Sequence, residues 1–278
     1  MIQFEADSNF LYHIFRRACD LNDKRLLFLL IETFKTNHTL ENILLRAISH
    51  DDIKVMNFIL SGAKDNIDID YEINGFNPLL KAVNNGSFLS VDLLLKNNAN
   101  INYQNENKYT PLMAASGFGI SGMVHHFLKK GADPFIRDKE GITALMLAAS
   151  NSSKSTSEIL KYIYYNKRDR LKEYVNLTRS DGATALMIAT SNAEKLIVQM
   201  LIDADADINH ADKDGNTAII VASEFDDCCE SIRVLIEKGA DLEHKNIHGK
   251  TALDYAKEFN NIDLVELIEE YTEKIAFY

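Results

Sequence analysis

TAIIVASEFDDCCESIRVLIEKGADLEHKNIHGKTALDYAK, residues 217–257, holds one whole structural unit and the opening of the next. A threonine leads an apolar run (TAIIVAS, 217–223), a second apolar run follows (VLIEKGADLE, 234–243), and TALDYAK begins the cycle again at Thr251, 34 residues on. Thr217 and Thr251 stand where a side-chain oxygen accepts from the free N–H groups of a helix start, so each predicts an N-cap. Ile232, Leu235 and Ile236 recur at the spacing of one helix face. Gly239 falls where that second helix ends, in the left-handed conformation that glycine adopts without a Cβ penalty. The stretch reads turn, helix, turn, helix.

The same pattern recurs upstream as NPLLKAV from Asn77, TPLMAAS from Thr110, TALMLAA from Thr143 and TALMIAT from Thr184. Successive starts are 33, 33, 41, 33 and 34 residues apart. Second apolar runs follow in LLLKNNANIN (93–102), FLKKGADPFI (127–136) and MLIDADADIN (200–209). Gly75, Gly141, Gly182, Gly215 and Gly249 each lie two residues before an Asn or Thr cap and supply the turn into the next unit. Three landmarks in phase identify an internal repeat. Small residues such as Ala114–Ala115 and Ala148–Ala149 let neighbouring helices approach closely. A single unit cannot bury its apolar face alone, so the units must stack.

Across residues 72–271 the pattern resembles the ankyrin repeat, with its G-x-T-P-L-H-x-A-A, apolar helix and G-A-D-x-N. Weaker copies reach back through NILLRAI (42–48) with VMNFILSGA (55–63) and HIFRRAC (13–19) with LLFLLIE (26–32). The resemblance implies an all-α solenoid of about eight helix-turn-helix repeats joined by short β-hairpin loops. It is expected as a single domain over 1–278: degenerate N-terminal repeats in 1–71, regular repeats in 72–245 with an insertion in 150–174, and a C-terminal capping repeat in 246–278. The family's usual His is replaced by Leu80, Met113, Met146, Met187, Ile220 and Asp254, so mostly apolar packing stands in for its hydrogen bond. The insertion divides between SNSSKSTS (150–157) and the charged NKRDRLKEY (166–174). It marks a binding face or is a neutral addition, and both readings stay open.

A net charge of −11 argues against a phosphate backbone or an anionic membrane as partner and favours a protein carrying a basic patch. Three cysteines are too few for a disulfide scaffold and fit a reducing compartment. The N-terminus has no signal-peptide pattern, and the longest apolar stretch, LLFLLI at 26–31, is short of the ~20 residues that span a bilayer. An intracellular, cytoplasmic monomer is expected.

Motifs with chemical meaning are few. GFGISG (117–122) matches G-x-G-x-x-G but follows a helix, whereas a dinucleotide site needs it after a strand. His210 and His244 occupy equivalent positions in successive repeats with His248 nearby, a conceivable metal set on loops that also tolerate polar residues freely. Cys228 and Cys229 have acidic neighbours, which do not activate a thiol. One of His125 and His126 is expected to face the adjacent repeat. The family resemblance also implies that Asn209, in LIDADADIN, has the form asparagine hydroxylases accept, with the unmodified residue preferred. No nucleophile, base and oxyanion site assemble, so the chain is expected to be no enzyme, with no cofactor and no metal.

The resemblance places a partner protein on a concave groove of loop tips and first-helix faces. Carried over residue by residue, it selects Phe76, Tyr109 and Ile142 before the caps, Phe118, Glu224, Phe225 and Phe259 after the first helices, and Ile247 at a loop tip. Two clusters are expected, Phe76 with Tyr109 and Phe118, and Phe225 with Phe259 and Ile247, among acidic tips that steer Lys or Arg. Aromatics folded back onto a neighbouring repeat are the alternative. The function expected is a protein-protein interaction scaffold or adaptor, because repeats fill the chain and leave no room for a catalytic domain. The alternatives are a targeting module of a larger enzyme or effector complex and a structural spacer. The end KIAFY (274–278) caps the stack or docks into a partner.

Overall fold

The computed structural model describes residues 2–34, 38–63 and 67–276, with the backbone alone for 2–8, 226 and 274–276. It divides into two compact units, residues 1–114 with 130–132 and residues 115–129 with 133–278.

In the first unit α1 (Ile2–Asp20), α2 (Lys24–Phe34), α3 (Thr39–Ser49), α4 (Ile53–Gly62), α5 (Pro78–Asn84) and α6 (Phe88–Lys96) form three antiparallel pairs. α3 packs on α1 and α5, while α4 packs on α2 and α6, so first helices make one row and second helices another. The weak N-terminal copies are therefore real helix pairs. Their apolar positions (Tyr12, Phe15, Ile43, Leu44, Met56 and Ile59) are fully buried. Each such side chain contributes ~1.5–3 kcal/mol. α7 (Pro111–Gly117) begins in this unit and ends in the other.

In the second unit α8 (Ser121–Lys129), α9 (Ala144–Ala149), α10 (Ser153–Asn166), α11 (Leu171–Val175), α12 (Ala185–Ser191), α13 (Lys195–Asp203), α14 (Ala218–Ala222), α15 (Cys229–Glu237), α16 (Ala252–Glu258) and α17 (Ile262–Ala276) continue the scheme. α9, α12, α14 and α16 form the first-helix row; α8, α10, α13, α15 and α17 form the second. Within this unit α9 with α10, α12 with α13, α14 with α15 and α16 with α17 make four complete helix pairs, with α11 as the extra element of the insertion.

Local chemistry sets the ends of these helices. The side chains of Asn77, Thr110, Thr143, Thr184 and Thr251 accept from the backbone N–H three residues on, at 2.8–3.3 Å. Thr217 departs from the expected cap: its hydroxyl is buried and makes no hydrogen bond. Second helices end on left-handed residues at Asn98, Gly131, Asp205 and Gly239. At the positions of the missing histidine, Leu80, Met113, Met146, Met187 and Ile220 are buried. Asp254 instead closes a capping box, accepting from the Thr251 N–H at 2.9 Å.

The loops keep only part of the hairpin expected of them. From Tyr109 onward each is closed by two backbone bonds within five residues, as from Asp138 N–H to the Ile142 carbonyl (3.0 Å) with Gly141 N–H to the Asp138 carbonyl (3.1 Å), and from Asp212 N–H to the Asn216 carbonyl (2.9 Å) with Gly215 N–H to the Asp212 carbonyl (3.0 Å). Strand pairing among the described residues is confined to isolated bridges, Ile73 with Phe76 and Thr178 with Thr184. A side chain does the work a ladder would do.

Candidate functional site

That side chain lies five residues before four of the six caps, Thr110, Thr143, Thr217 and Thr251. Asn105, Asp138, Asp212 and Asn246 each use one side-chain oxygen to accept the N–H groups two and four residues on, at 2.8–3.1 Å. The second of these N–H groups belongs to Tyr109, Ile142, Asn216 or Lys250, so the residue just before the cap is held rigidly. The regularity is legible in the sequence as Asn or Asp in phase with Gly and Thr at four of the caps, a fourth landmark beside the caps, the second apolar runs and the glycines. Lys108 takes the place of glycine in its loop with φ +61°.

Within the second unit successive loops are joined edge to edge. Ser180 N–H donates to the Glu140 carbonyl (2.7 Å), Lys213 to Asp181 (3.0 Å) and Ile247 to Asp214 (3.0 Å). Two glycines permit this approach. A Cβ on Gly182 would lie 2.9 Å from the Lys213 nitrogen, one on Gly215 would lie 3.1 Å from the Asn246 Cα, and both have positive φ. His210 and His244 brace the same seam, their Nε2 atoms 3.1 and 2.9 Å from the carbonyls of Gly182 and Gly215. Their equivalence thus has a structural purpose, and among the described residues no set of three His, Cys, Asp or Glu side chains is placed to hold a metal. The result in this unit is a strip of four loops with little freedom to move.

On this framework Phe225 and Phe259 occupy equivalent turns after α14 and α16, both exposed. Asn261 Nδ2 donates to the Phe225 carbonyl at 3.4 Å and ties the two turns together. The Phe259 ring lies parallel to that of Tyr255, centroids 6.4 Å apart. Glu224 is exposed beside Phe225, and Ile247 projects from the loop strip with 64% of its surface free. Phe118 is 57% exposed in the same unit. Ile142 is half-buried. In the first unit Phe76 is 42% exposed with the Lys81 ammonium 5.8 Å above its ring, and Tyr109 is half-buried. Their loops are joined by Asn105 Nδ2 donating to the Gly75 carbonyl at 3.3 Å.

Some of the loop charges have side-chain partners. Arg179 hydrogen-bonds Asp181 and holds its carboxyl below the usual carboxylate range. Ser180 Oγ donates to the Glu140 carboxylate at 3.0 Å. Lys250 pairs with Glu258, whose hydrogen bond holds the ammonium above its ordinary pKa. Burial pushes the thiols of Cys228 and Cys229 upward, and Cys228 Sγ donates to the Thr190 carbonyl (3.1 Å), a packing role rather than a reactive one. Of the expected inter-repeat histidine, His125 Nδ1 lies 2.7 Å from Glu158 on α10. The side chains of KIAFY lie outside the described residues.

The insertion is anchored more firmly than its composition foretold. Tyr174 on α11 is fully buried; its hydroxyl donates to the Pro134 carbonyl (3.1 Å) and its ring tilts against Phe135. Burial pushes the phenol well above its usual range. Arg170 lies 3.9 Å over the other face of that cluster, on the Phe135 ring, and pairs with Glu173 at 3.1 Å. No helix among the described residues is long and apolar enough to cross a membrane.

Comparison with known proteins agrees with this architecture. A family model of ankyrin repeats in three copies matches at 44–138, 82–172, 112–212, 154–246 and 197–276. The mouse (Mus musculus) B-cell lymphoma 3 protein homolog is 38% identical over 77 residues, 28% of this chain and 17% of that protein. Human (Homo sapiens) 2-5A-dependent ribonuclease is 42% identical over 72 residues, 26% of this chain and 10% of that protein. The matched stretch is thus a small part of either relative. With model matches that together run from residue 44 to residue 276 and helix pairs in the matching register, the chain belongs to the ankyrin-repeat family as an all-α repeat solenoid.

Proposed function

We propose that the protein is a non-enzymatic adaptor that holds a partner protein against its loops and first helices. Repeats of this family generally mediate protein-protein interaction. The finer reading rests on one observation: Phe225 and Phe259 stay exposed on turns tied together by Asn261, and Ile247 stays exposed on a loop closed by Asn246. These three are the proposed centre in the second unit, with Phe118 and Ile142 as further contacts there and Phe76 and Tyr109 serving the first unit. Rigid exposed aromatics lose little entropy when covered, which is why such side chains dominate interfaces. Glu224 and the net charge of −11 favour a partner with Lys or Arg around its own apolar patch. The cytoplasm is the proposed site of action. The experiment is affinity capture from the native cell with Phe225→Ala/Phe259→Ala as control. The bound protein disappears while far-ultraviolet dichroism and melting are retained; undiminished capture, or loss of the fold, overturns the assignment.

A second reading, a binding segment within a larger enzyme or effector, is favoured by the match to part of a ribonuclease of far greater length. A cellular product heavier than the 31.4 kDa chain on an immunoblot supports it.

A further inference from the structure

The insertion carries a surface unlike the rest of the molecule. α10 has 14 residues where its neighbours α8, α13 and α15 have 9, and the added turns end in Tyr164 and Tyr165. Neither ring is turned inward: Tyr165 is 79% exposed, and the two rings meet edge to face at 5.3 Å. Beside them opens a cleft of about 280 Å³, floored by Leu160, Leu171 and Met200 and rimmed by Lys161. Asp203 on its far side is occupied by Gln199 (2.8 Å) and Lys238 (4.0 Å).

Charge distinguishes this region too. Residues 154–173 hold six Lys and Arg (Lys154, Lys161, Lys167, Arg168, Arg170, Lys172) against Glu158, Asp169 and Glu173. This segment is net +3, so the remainder of the chain carries −14. Lys154, Lys161, Lys167 and Arg168 form no ion pair among the described residues. Arg168 instead lies 4.8 Å over the Tyr164 ring, which leaves its fork of donors outward.

We propose that this basic-aromatic cleft on the second-helix row is a docking site for an acidic segment of a partner protein that carries an apolar side chain. The cleft takes the apolar side chain between Tyr165 and the Leu160–Leu171 floor; Lys161 and Arg168 take the flanking carboxylates. Unpaired cations on an acidic protein are sites that an acidic peptide finds by steering. A nucleic acid is disfavoured because its phosphates need an extended basic track, whereas here a carboxylate, Asp203, lines the cleft itself. The proposal is independent of Phe225 and Phe259.

Fluorescence anisotropy on the full chain tests it with three short fluorescein-labelled peptides. One is Glu- and Asp-rich around a Phe-Leu pair, one reverses every charge to Lys or Arg, and one is acidic with Ser replacing Phe and Leu. The first binds and the others do not; affinity falls with added salt. Tyr164→Ala/Tyr165→Ala and Lys161→Glu/Arg168→Glu each weaken it by about tenfold or more, while Phe225→Ala/Phe259→Ala leaves it unchanged. Tyr165→Ala alone, which removes a ring that is mostly in water, serves if the double variant loses helicity. Equal binding of all three peptides, insensitivity to these variants or tighter binding of labelled oligothymidine overturns the proposal. So does a sedimentation equilibrium in which the wild type dimerises and the variants do not.

Discussion

The repeats beginning at Thr143 and Thr184 differ by eight residues, and the difference shows which part of a stacked fold is free to grow. In the regular repeat, α12 and α13 are followed by a loop in which Asp212 accepts two N–H groups. In the longer one, α9 is of ordinary length and still packs on α12, so the first-helix row is undisturbed. The growth falls at the end of the second helix, α10, and in the extra α11 that precedes the next loop. That segment has no copy in the neighbouring repeats to pack against. Tyr174 and Arg170 supply the replacement by clasping Phe135 and the Pro134 carbonyl. The loop also changes: Arg179 stands where Asp138 and Asp212 stand, and Asp181 takes over, accepting the Ala183 N–H at 3.0 Å.

If Tyr174 is the clasp, its removal gives the largest effect. Tyr174→Ala lowers stability by about 3–5 kcal/mol, as for other fully buried aromatics. Tyr174→Phe, which loses only the hydroxyl bond, costs about 1 kcal/mol. Urea denaturation followed by dichroism measures both; an alanine variant near wild type would mean that the insertion is loosely attached. The two loops give the next largest contrast. Asp212→Ala strips two N–H groups of their acceptor and costs about 1–2 kcal/mol. Arg179→Ala removes only an exposed pair and costs about 0.5 kcal/mol or less. Equal losses would deny the Asx residue its role. The smallest contrast separates two caps that share the same Thr-Ala start. Thr184→Val costs about 1 kcal/mol, whereas Thr217→Val, at a hydroxyl already without a partner, is neutral or stabilising. Matching thermal shifts for the two would show that Thr217 caps its helix after all.

The features that sequence reveals here are those set by backbone chemistry within one unit. Thr110 or Thr143 before an apolar run, and Gly131 or Gly239 after one, act over three or four residues, so their spacing alone predicts the helix ends. The loop-closing Asn105, Asp138, Asp212 and Asn246 were equally visible. Asn and Asp are common in any loop, and only the register gives these four meaning. Thr217 illustrates the limit of a local rule: its residue type is right, yet its side chain makes no capping bond.

Exposure is a different matter, since it depends on what a neighbouring repeat leaves uncovered. Phe76 and Tyr109 stand immediately before their caps in successive repeats, yet the phenylalanine is exposed and the tyrosine half-buried. The charged run 166–174 reads as a solvated helix. Its single inward residue, Tyr174, is identified only once Pro134, 40 residues away in sequence, is seen beside it. Of the acidic tip residues, Asp181 is paired with Arg179, a partner two residues away that composition alone does not assign.

If partners meet the loop-and-first-helix side through its exposed apolar residues, site-specific photocrosslinking in living cells reveals it, with benzoylphenylalanine in place of Phe225 or Phe259 and, as control, Leu89, which is 66% exposed on α6, a second helix of the first unit. A discrete covalent adduct forms from positions 225 and 259 and none from 89. An adduct from 89 with none from 225 or 259 overturns the assignment.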